Sequence, residues 1–343
     1  METIFFVGTY TIGSASEGIY TLSFNTETGA LAVLGASHAG DNPSFLAVRG
    51  DCLYAVSETD KQGQINAYRI QNNMLVAIGS HAVEGRSCCH VALSPNGRLA
   101  YAANYSSGSI FGVRLAPDGC IEGGTGTYKH TGKGPNARRQ EAAHAHSCLF
   151  TPDDRFLLAA DLGIDRLMVY RVAADGGLTL AHEALADAGD GPRHFAFSQD
   201  GRFVYLLAEL ASEVYTFAYD AESGALTRLH KVSALPGSFD GESIAADIHL
   251  SPDGHFLYAS NRGHNSIAVF EIGADGRPAP CGHCGCGGSW PRNFHVTADG
   301  RFVLVANQES GNIVVFPRDA GSGLLLPAVC EVMVPKPVCV IPR

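Results

Sequence analysis

Arginine, glutamate and histidine recur at the ends of apolar segments in this sequence. In "GPRHFAFSQDGRFVYLLAEL", residues 191–210, Arg193 precedes one alternating apolar run and Glu209 follows the next. Arginine side chains bind carboxylate or phosphate groups through two parallel hydrogen bonds. Glutamate and histidine transfer protons when neighbouring groups tune their pKa values. These residue types together suit a site that binds a small anion and performs acid–base chemistry.

The elements that must position these residues form an internal repeat. Each copy has an alternating apolar run, a turn that begins with Pro and Asp or Asn and ends with Gly, and a second apolar run, which is typical of a β-hairpin. The clear copies are "CCHVALSPNGRLAYAANY", "AHSCLFTPDDRFLLAADL", "PRHFAFSQDGRFVYLLAEL", "ADIHLSPDGHFLYASNRG" and "PRNFHVTADGRFVLVANQ". Two weaker copies, "NPSFLAVRGDCLYAVSET" and "IFFVGTY", complete a series with a spacing of roughly 50 residues.

Seven copies with about four short strands each predict an all-β, seven-bladed β-propeller that forms one domain over residues 1–343. The chain begins partway through a copy, and its last segment, "PKPVCVIPR", resembles the first strand of the repeat. We therefore expect the N- and C-terminal strands to share one blade and to close the ring. Closure would hide the sheet edges that an open array exposes.

In such a ring, two positions of each copy converge at one mouth of the central channel. The position six residues before the turn proline is occupied by Cys89, His146, Arg193, Ala246 and Arg292. The position ten residues after it is occupied by Tyr105, Leu162, Glu209, Arg262 and Gln308, and the weaker copies add Tyr10 and Glu58. The set predicts an anion-binding pocket with acid–base capacity. A structural ion pair between blades is the alternative for Arg193 and Glu209, but several arginines exceed what two carboxylates neutralise.

Other polar residues have a structural interpretation. His194 and His249 lie inside the strand pattern and are interpreted as packing or hydrogen-bonding residues. A recurrent polar residue just before the second mouth position is expected to cap strand ends, namely Asn104, Asp161, Asn261 and Asn307. The run "CGHCGCGGSW" is interpreted as a cysteine-rich surface loop, because one cluster of Cys281, His283, Cys284 and Cys286 lacks the usual spread of zinc ligands. We predict no metal and no cofactor.

Composition and net charge indicate which classes of binding partner are expected. The net charge of −10, from 24 basic and 34 acidic residues, disfavours binding to a nucleic-acid backbone. No segment approaches the ~20 apolar residues of a membrane helix, and "METIFFVGTYTIG" lacks the pattern of a signal peptide. We predict a cytoplasmic protein with reduced cysteines and a small-molecule partner, without nucleic acid or membrane. The pattern specifies no oligomeric state, and a closed ring requires no partner chain.

Four stretches resemble the lactonase family of seven-bladed propellers: "HAHSCLFTPDDRFLLAADLGIDRLMVY", "GPRHFAFSQDGRFVYLLAEL", "SPDGHFLYASNRGHNSIAVF" and "WPRNFHVTADGRFVLVANQESGNIVVF". That family includes propeller-type 6-phosphogluconolactonases and 3-carboxy-cis,cis-muconate lactonising enzymes. The resemblance implies a site of one histidine, two arginines and a glutamate. Matched by motif, these are His146 or His144, Arg193, Arg262 and Glu209.

The resemblance implies hydrolysis of an anionic sugar lactone, with 6-phosphogluconolactone of the pentose phosphate pathway as the expected substrate. We expect Glu209, His146, Arg193 and Arg262 to be catalytic, with Glu209 or His146 as general base. The expected substrate-binding residues are His144, Arg292, Glu58, Tyr105 and Gln308. Two alternatives stay open: a muconate cycloisomerase that uses the same residues, and a non-catalytic binding propeller, although the WD dipeptide of many such scaffolds is absent.

Overall fold

A computed structural model describes residues 1–343 and contains 28 β-strands and no α-helix. The strands form seven separate four-stranded antiparallel sheets. The seven-bladed β-propeller predicted from the repeat is therefore confirmed. No helix with the length and apolar character needed to cross a bilayer is present.

Each blade is described from its inner strand, beside the channel, to its outer strand. Blade 1 comprises β28 (Pro337–Pro342), β1 (Glu2–Thr9), β2 (Ile19–Asn25) and β3 (Leu31–Ser37). Blade 2 comprises β4 (Leu46–Arg49), β5 (Cys52–Ser57), β6 (Gln62–Gln71) and β7 (Met74–Arg86). Blade 3 comprises β8 (Cys88–Leu93), β9 (Leu99–Asn104), β10 (Ser109–Leu115) and β11 (Ile121–Lys129). Blade 4 comprises β12 (Ala145–Phe150), β13 (Phe156–Asp161), β14 (Arg166–Val172) and β15 (Leu178–Leu185).

The remaining three blades follow the same order. Blade 5 comprises β16 (Pro192–Phe197), β17 (Phe203–Ala208), β18 (Glu213–Tyr219) and β19 (Leu226–Ser233). Blade 6 comprises β20 (Ile244–Leu250), β21 (Phe256–Arg262), β22 (Ser266–Ile272) and β23 (Pro278–Gly285). Blade 7 comprises β24 (Pro291–Val296), β25 (Phe302–Asn307), β26 (Asn312–Pro317) and β27 (Cys330–Met333).

The ring closes as the terminal segments predict. Strand β28 pairs with β1 in antiparallel register, with Phe6 opposite Ile341 and Gly8 opposite Cys339. The last strand of the chain is thus the inner strand of the first blade. The apolar core consists of seven clusters, and each cluster joins the facing surfaces of two adjacent blades. Burial between blades therefore stabilises the ring as a whole rather than each sheet alone.

The hairpin between the first and second strands of a blade is built by a repeated local motif. A Ser or Thr hydroxyl before the turn accepts a hydrogen bond, 2.9 to 3.0 Å long, from the backbone N–H five residues later. The residues are Ser94, Thr151, Ser198, Ser251 and Thr297. The turn glycine adopts a positive φ, as at Gly97 with 71°, a conformation that glycine adopts without steric cost. Asp154 takes this place in blade 4, with a φ of 61°.

The prediction of a cysteine-rich loop at residues 281–290 is wrong for its first half. Residues 281–285 belong to β23, the outer strand of blade 6, where Cys284 lies opposite Ile267. The reason is that a fourth strand needs only backbone hydrogen bonds, which glycine-rich sequence also supplies. The Cys281 side chain is exposed, Cys284 Sγ accepts a hydrogen bond from the Leu325 N–H, and His283 Nε2 donates to the Ala234 carbonyl.

Candidate active site

A local irregularity aims the mouth residues. In four inner strands, the pairing with the second strand skips the residue that the repeat places at the mouth, so that residue is bulged; the four are Cys89, His146, Arg193 and Arg292. In blade 6 the shift spans Ala246 and Asp247. Bulges re-aim side chains beside functional sites. Two consecutive residues of one strand can thus both contribute polar groups to the channel.

Glu209 is the centre of the mouth. Its Oε2 atom lies 2.8 Å from Arg193 Nε and 2.9 Å from Arg262 Nη2, and its Oε1 atom lies 2.5 Å from Arg139 Nη2. The Glu209 residue is only 1% exposed. Arg193 and Glu209, at the two ends of a two-strand excursion, therefore meet as the repeat geometry predicts.

Arg139 was not among the predicted site residues. It lies on the connection between β11 and β12, which contains no strand or helix. The adjacent Gln140 fixes this loop by donating to the Leu162 carbonyl at 2.8 Å and to Asp165 Oδ1 at 2.7 Å. The signal in the sequence is the arginine pair shortly before "HAH". No repeat position marks it, because the loop is an insertion in one blade.

Two histidines and a tyrosine line the wall beside Arg139. His146 Nε2 is 3.7 Å from Glu209 Oε2, and the His146 side chain is 7% exposed. His144 stacks on Tyr105 with ring centroids 4.5 Å apart, and its Nδ1 donates to the Tyr105 carbonyl at 3.0 Å. The Tyr105 hydroxyl accepts a hydrogen bond from Arg139 at 3.3 Å. His144, His146 and Tyr105 thus lie together with Glu209, as predicted.

Arg292 and Glu58 form a second cluster around Tyr10. Arg292 Nη2 donates to the Tyr10 hydroxyl at 2.7 Å, and that hydroxyl donates to Glu58 Oε2 at 3.0 Å. Ser44 Oγ also donates to Glu58 Oε2, at 2.6 Å. Unlike Arg139, Arg193 and Arg262, Arg292 forms no ion pair with a carboxylate within 4.0 Å.

Gln308 does not join either cluster. Its Nε2 donates to Glu309 Oε1 at 2.7 Å, and its Oε1 has no hydrogen-bond partner. The neighbouring Glu309 side chain binds the amide that the repeat position would place at the mouth. Trp290, which the sequence did not single out, instead contacts the site, with the Arg262 guanidinium 5.6 Å from its ring centre.

The clustered arginines set the charge states of the acid–base residues. Burial alone would raise the pKa of Glu209, but the adjacent guanidinium groups of Arg262 and Arg193 hold it well below its ordinary value. Burial and Arg193 lower the pKa of His146 well below its ordinary value, so the imidazole is neutral at pH 7. Burial also lowers the pKa of Arg262 to about 9, against the opposing effect of Glu209.

A second buried polar group lies next to the mouth residues. Asp247 Oδ1 accepts a hydrogen bond from His194 Nδ1 at 2.8 Å, and its Oδ2 accepts from His249 Nε2 at 2.9 Å and from Asn293 Nδ2 at 2.6 Å. The hydrogen-bonding interpretation of His194 and His249 is borne out by these contacts. The strand-end residues also cap backbone groups: Asp161 Oδ1 accepts from the His144 N–H at 2.7 Å, and Asn307 donates to the Cys286 carbonyl at 2.9 Å.

Comparison with known proteins identifies the family of this chain. A family model described as lactonase, 7-bladed beta-propeller, matches residues 4–342. The chain belongs to this lactonase family, which confirms the resemblance read from its motifs and the lactone-hydrolase class that it implies.

Individual relatives resemble the chain over nearly its whole length. The chain is 37% identical over 340 residues to a 6-phosphogluconolactonase of Bacillus subtilis, covering 98% of this chain and 97% of that protein. A crystal structure from Lactobacillus plantarum matches with a TM-score of 0.95 and 36% identity, with all of both chains covered. The periplasmic gluconolactonase of Pseudomonas aeruginosa matches with a TM-score of 0.93 and 33% identity, over 100% of this chain and 99% of that one.

Proposed function

We propose that this protein hydrolyses 6-phosphogluconolactone to 6-phosphogluconate. The observation that carries the substrate choice is the charge of the mouth. Four arginines, Arg139, Arg193, Arg262 and Arg292, are opposed there by two buried or half-buried carboxylates, those of Glu58 and Glu209. The excess of two positive charges matches a phosphate group, which carries close to two negative charges at pH 7. Relatives named for both phosphorylated and unphosphorylated lactones exist, and this excess favours the phosphorylated one.

Arg292 is the proposed phosphate anchor. It is the mouth arginine without a carboxylate partner, and its hydrogen bond to the Tyr10 hydroxyl holds the guanidinium in place while leaving other donors free. Arg193 and Arg262 then face the lactone group, where their positive charge stabilises the oxyanion that develops on the carbonyl oxygen. His144, Tyr105 and Glu58 line the sugar between these groups, as substrate-binding residues. Gln308, whose amide donates to Glu309, makes no contact with the substrate in this arrangement.

His146 is the proposed general base. A base must accept a proton, and the neutral imidazole of His146 can do so at pH 7. The oxygen of a water molecule bonds to the lactone carbonyl carbon while a proton of that water passes to His146 Nε2. The ring C–O bond then breaks, the leaving alkoxide takes the proton from Nε2, and the resulting acid ionises.

Glu209 has a different proposed role from the base considered in the sequence analysis. Because three guanidinium groups surround it and hold its pKa down, its carboxylate is a weak proton acceptor. We propose that it fixes the arginines in the geometry that the transition state requires. Glu209→Gln would then lower kcat through misplaced arginines, rather than remove the base.

The experiment measures the release of acid from freshly prepared 6-phosphogluconolactone by the wild-type protein and by His146→Asn. The control variant is His255→Asn, at an exposed histidine on the surface. We expect wild type and His255→Asn to exceed the spontaneous rate equally, and His146→Asn to lose about 10²–10⁴-fold in kcat. A wild-type rate no greater than the spontaneous rate overturns the proposal. Ultraviolet monitoring of a carboxymuconate with the same preparation tests the cycloisomerase alternative. Conversion of the carboxymuconate without lactone hydrolysis would replace the lactonase proposal by that alternative.

We also propose a cytoplasmic location. All ten cysteines are free thiols, and Cys88, Cys89, Cys148 and Cys339 are among those buried in the blades. A chain with this many unpaired thiols is suited to a reducing compartment. Separation of periplasmic from cytoplasmic extracts, with immunodetection of the native protein, tests this; recovery in the periplasm would contradict it.

A further inference from the structure

Two buried imidazole nitrogens at and beside His146 have no hydrogen-bond partner in the protein. These atoms are His146 Nδ1 and His194 Nε2, on residues that are 5% and 6% exposed. The two ring centroids are 5.6 Å apart, with the ring planes at 75°. Buried polar atoms without a partner are rare in native proteins and usually mark an ordered water or a functional role. Each nitrogen therefore calls for a hydrogen-bond partner that the protein does not supply, on two neighbouring rings.

The contact with Asp247 determines which nitrogen of each histidine carries a proton. Asp247 Oδ1 lies 2.8 Å from His194 Nδ1, so that nitrogen carries the proton and His194 Nε2 is an acceptor. A water that bridges the two nitrogens would then donate to His194 Nε2 and accept a hydrogen bond from His146 Nδ1. His146 Nε2, the atom 3.7 Å from Glu209 Oε2, is left free to take a proton at the mouth.

We propose that Asp247 and His194 are positioning residues for lactone hydrolysis, acting through one bridging water to hold His146 in the tautomer whose Nε2 is the base. This inference rests on the proposed function of His146. When His146 Nε2 takes the proton of the attacking water, the hydrogen-bonded chain stabilises the imidazolium that forms, and Asp247 contributes its negative charge. No proton needs to reach Asp247, which remains ionised throughout.

Charged and titratable groups surround both histidines of the hydrogen-bonded relay. Charged and titratable groups that act on His146 are Glu209 from the end of β17, Arg193 and His194 from β16, and Arg292 from β24. His194 is surrounded by Arg193, Asp247 and His249, and by the ring of His90 with its centroid 5.5 Å away. Asp247 is therefore the negative charge next to His194, as Glu209 is for His146.

The contacts of Asp247 determine what Asp247→Asn does. Its Oδ2 accepts three hydrogen bonds, from His249 Nε2, Asn293 Nδ2 and the Phe294 N–H, whereas Oδ1 accepts one, from His194. An asparagine would keep its carbonyl oxygen toward the three donors and turn its NH₂ toward His194. His194 would then accept at Nδ1 and carry its proton at Nε2, and the water would donate to His146 Nδ1. The base nitrogen of His146 would be protonated and blocked.

The first test compares kcat and KM for 6-phosphogluconolactone in Asp247→Asn, His194→Asn and His194→Gln. In His194→Asn the amide can still donate to Asp247 but lacks an acceptor at the Nε2 position; in His194→Gln the amide oxygen reaches that position. We expect Asp247→Asn and His194→Asn to lower kcat by about 10- to 100-fold, less than the ~10⁴-fold loss for a directly bonded Asp–His pair. KM should stay the same. His194→Gln should recover most of the loss, and the double variant Asp247→Asn/His194→Asn should be no worse than His194→Asn alone.

A kcat within twofold of wild type in both Asp247→Asn and His194→Asn, or losses that multiply in the double variant, would overturn the inference. The second test needs no activity: ¹⁵N chemical shifts of histidine-labelled wild-type protein at pH 7 report which imidazole nitrogens are protonated. We expect His146 to be protonated at Nδ1 and bare at Nε2. The opposite tautomer in wild type contradicts the relay even if the lactonase activity is present. The expected tautomer without lactonase activity would contradict the proposed function alone.

Discussion

At the scale of single residues, the mouth concentrates positive charge in a protein whose net charge is −10. Three of its arginines are held by Glu209, and Arg292 is held by a tyrosine instead. The three arginines share the single negative charge of Glu209, whereas Arg292 has no carboxylate partner and keeps its whole charge for a ligand. The four arginines therefore have different tasks, although the repeat places two of them, Arg193 and Arg292, at equivalent positions.

Arg292→Gln should separate binding from chemistry. Loss of a charge-assisted hydrogen bond to phosphate costs about 1.5–3 kcal/mol, so we expect KM for 6-phosphogluconolactone to rise roughly 10- to 150-fold with kcat nearly unchanged. Hydrolysis of unphosphorylated gluconolactone should not change. The control is Arg138→Gln, at an exposed arginine on the loop next to Arg139. Equal losses on both lactones would contradict the assignment of Arg292 to the phosphate.

His194 makes stability depend on pH. Burial and Arg193 lower its pKa to about 4 in the folded protein, below the ordinary value near 6.5 that the unfolded chain has. Between these pH values the unfolded state binds a proton that the folded state does not. The free energy of unfolding is therefore highest above about pH 6.5 and falls as the pH drops toward 4. We expect His194→Gln to lose less unfolding free energy than wild type between pH 6.5 and 4.5, by about 2 kcal/mol. Denaturant melts at both pH values measure this difference, and identical pH dependence in the two proteins would refute it.

At the scale of elements, blades are joined by a recurrent tyrosine. Tyr54, Tyr205 and Tyr258 on second strands each donate a hydrogen bond to a glycine carbonyl in the outer hairpin of the next blade, at 2.8, 3.0 and 2.8 Å. Tyr101 makes the equivalent contact with the Gly176 carbonyl. Each of these tyrosines is 2% exposed or less, so the hydroxyl has no alternative partner in water.

Tyr205→Phe should therefore destabilise the fold by about 1–2 kcal/mol, because it leaves the buried Gly276 carbonyl without its donor. Tyr219→Phe is the matched control, since the Tyr219 hydroxyl is buried without a hydrogen-bond partner. Its removal should change the unfolding free energy by less than ~0.5 kcal/mol. Urea-induced unfolding of both variants checks the pair. Equal destabilisation would show that the hydroxyl contact contributes nothing between blades.

The elements also show what could be predicted from the sequence. The repeat specified the blades, the closure by β28, and the meeting of Arg193, Glu209 and Arg262, because periodic spacing translates directly into rotation about one axis. Arg139 was missed because it lies in an insertion, and Trp290 because no repeat position marks it. Gln308 was expected at the mouth, but a neighbouring side chain binds it. The strand at Cys281–Gly285 was missed because an outer strand requires few apolar residues.

The bulges of the inner strands are another feature that the sequence did not predict. Skipping Arg193 in the pairing of β16 with β17 lets Arg193 contact Glu209 while the next residue, His194, contacts Asp247. Strict strand alternation would send these two side chains to opposite faces. No residue type in the pattern announces a bulge, so the polar group around Asp247 became visible only in the structure.

At the scale of the whole molecule, the ring depends on its last strand. β28 forms the inner edge of blade 1 and, through the Val340 N–H, donates at 2.6 Å to Asn293 Oδ1, whose Nδ2 in turn binds Asp247. The closure thus supports the polar group beside the active site as well as the sheet. An open ring would also leave β1 as an unpaired edge strand.

Deletion of residues 337–343 should abolish cooperative folding, although it removes none of the proposed catalytic residues. Deletion of Arg343 alone is the control, because this residue is exposed and contacts Asp51 at the surface. We expect the short deletion to keep the wild-type melting temperature and lactonase rate, and the long one to lose both. Circular dichroism melts and size-exclusion chromatography measure the outcome. A folded, active protein without β28 would refute closure as the source of ring stability.

The most direct test of this lactonase site is a crystal structure of the protein with the product 6-phosphogluconate. We expect the phosphate on Arg292 and the carboxylate beside Arg262, Arg193 and His146 Nε2, so that one ligand joins blades 4 to 7 at the channel mouth. Ligand bound elsewhere on the ring, or at the mouth with its phosphate away from Arg292 and its carboxylate beyond hydrogen-bond reach of His146, would contradict it.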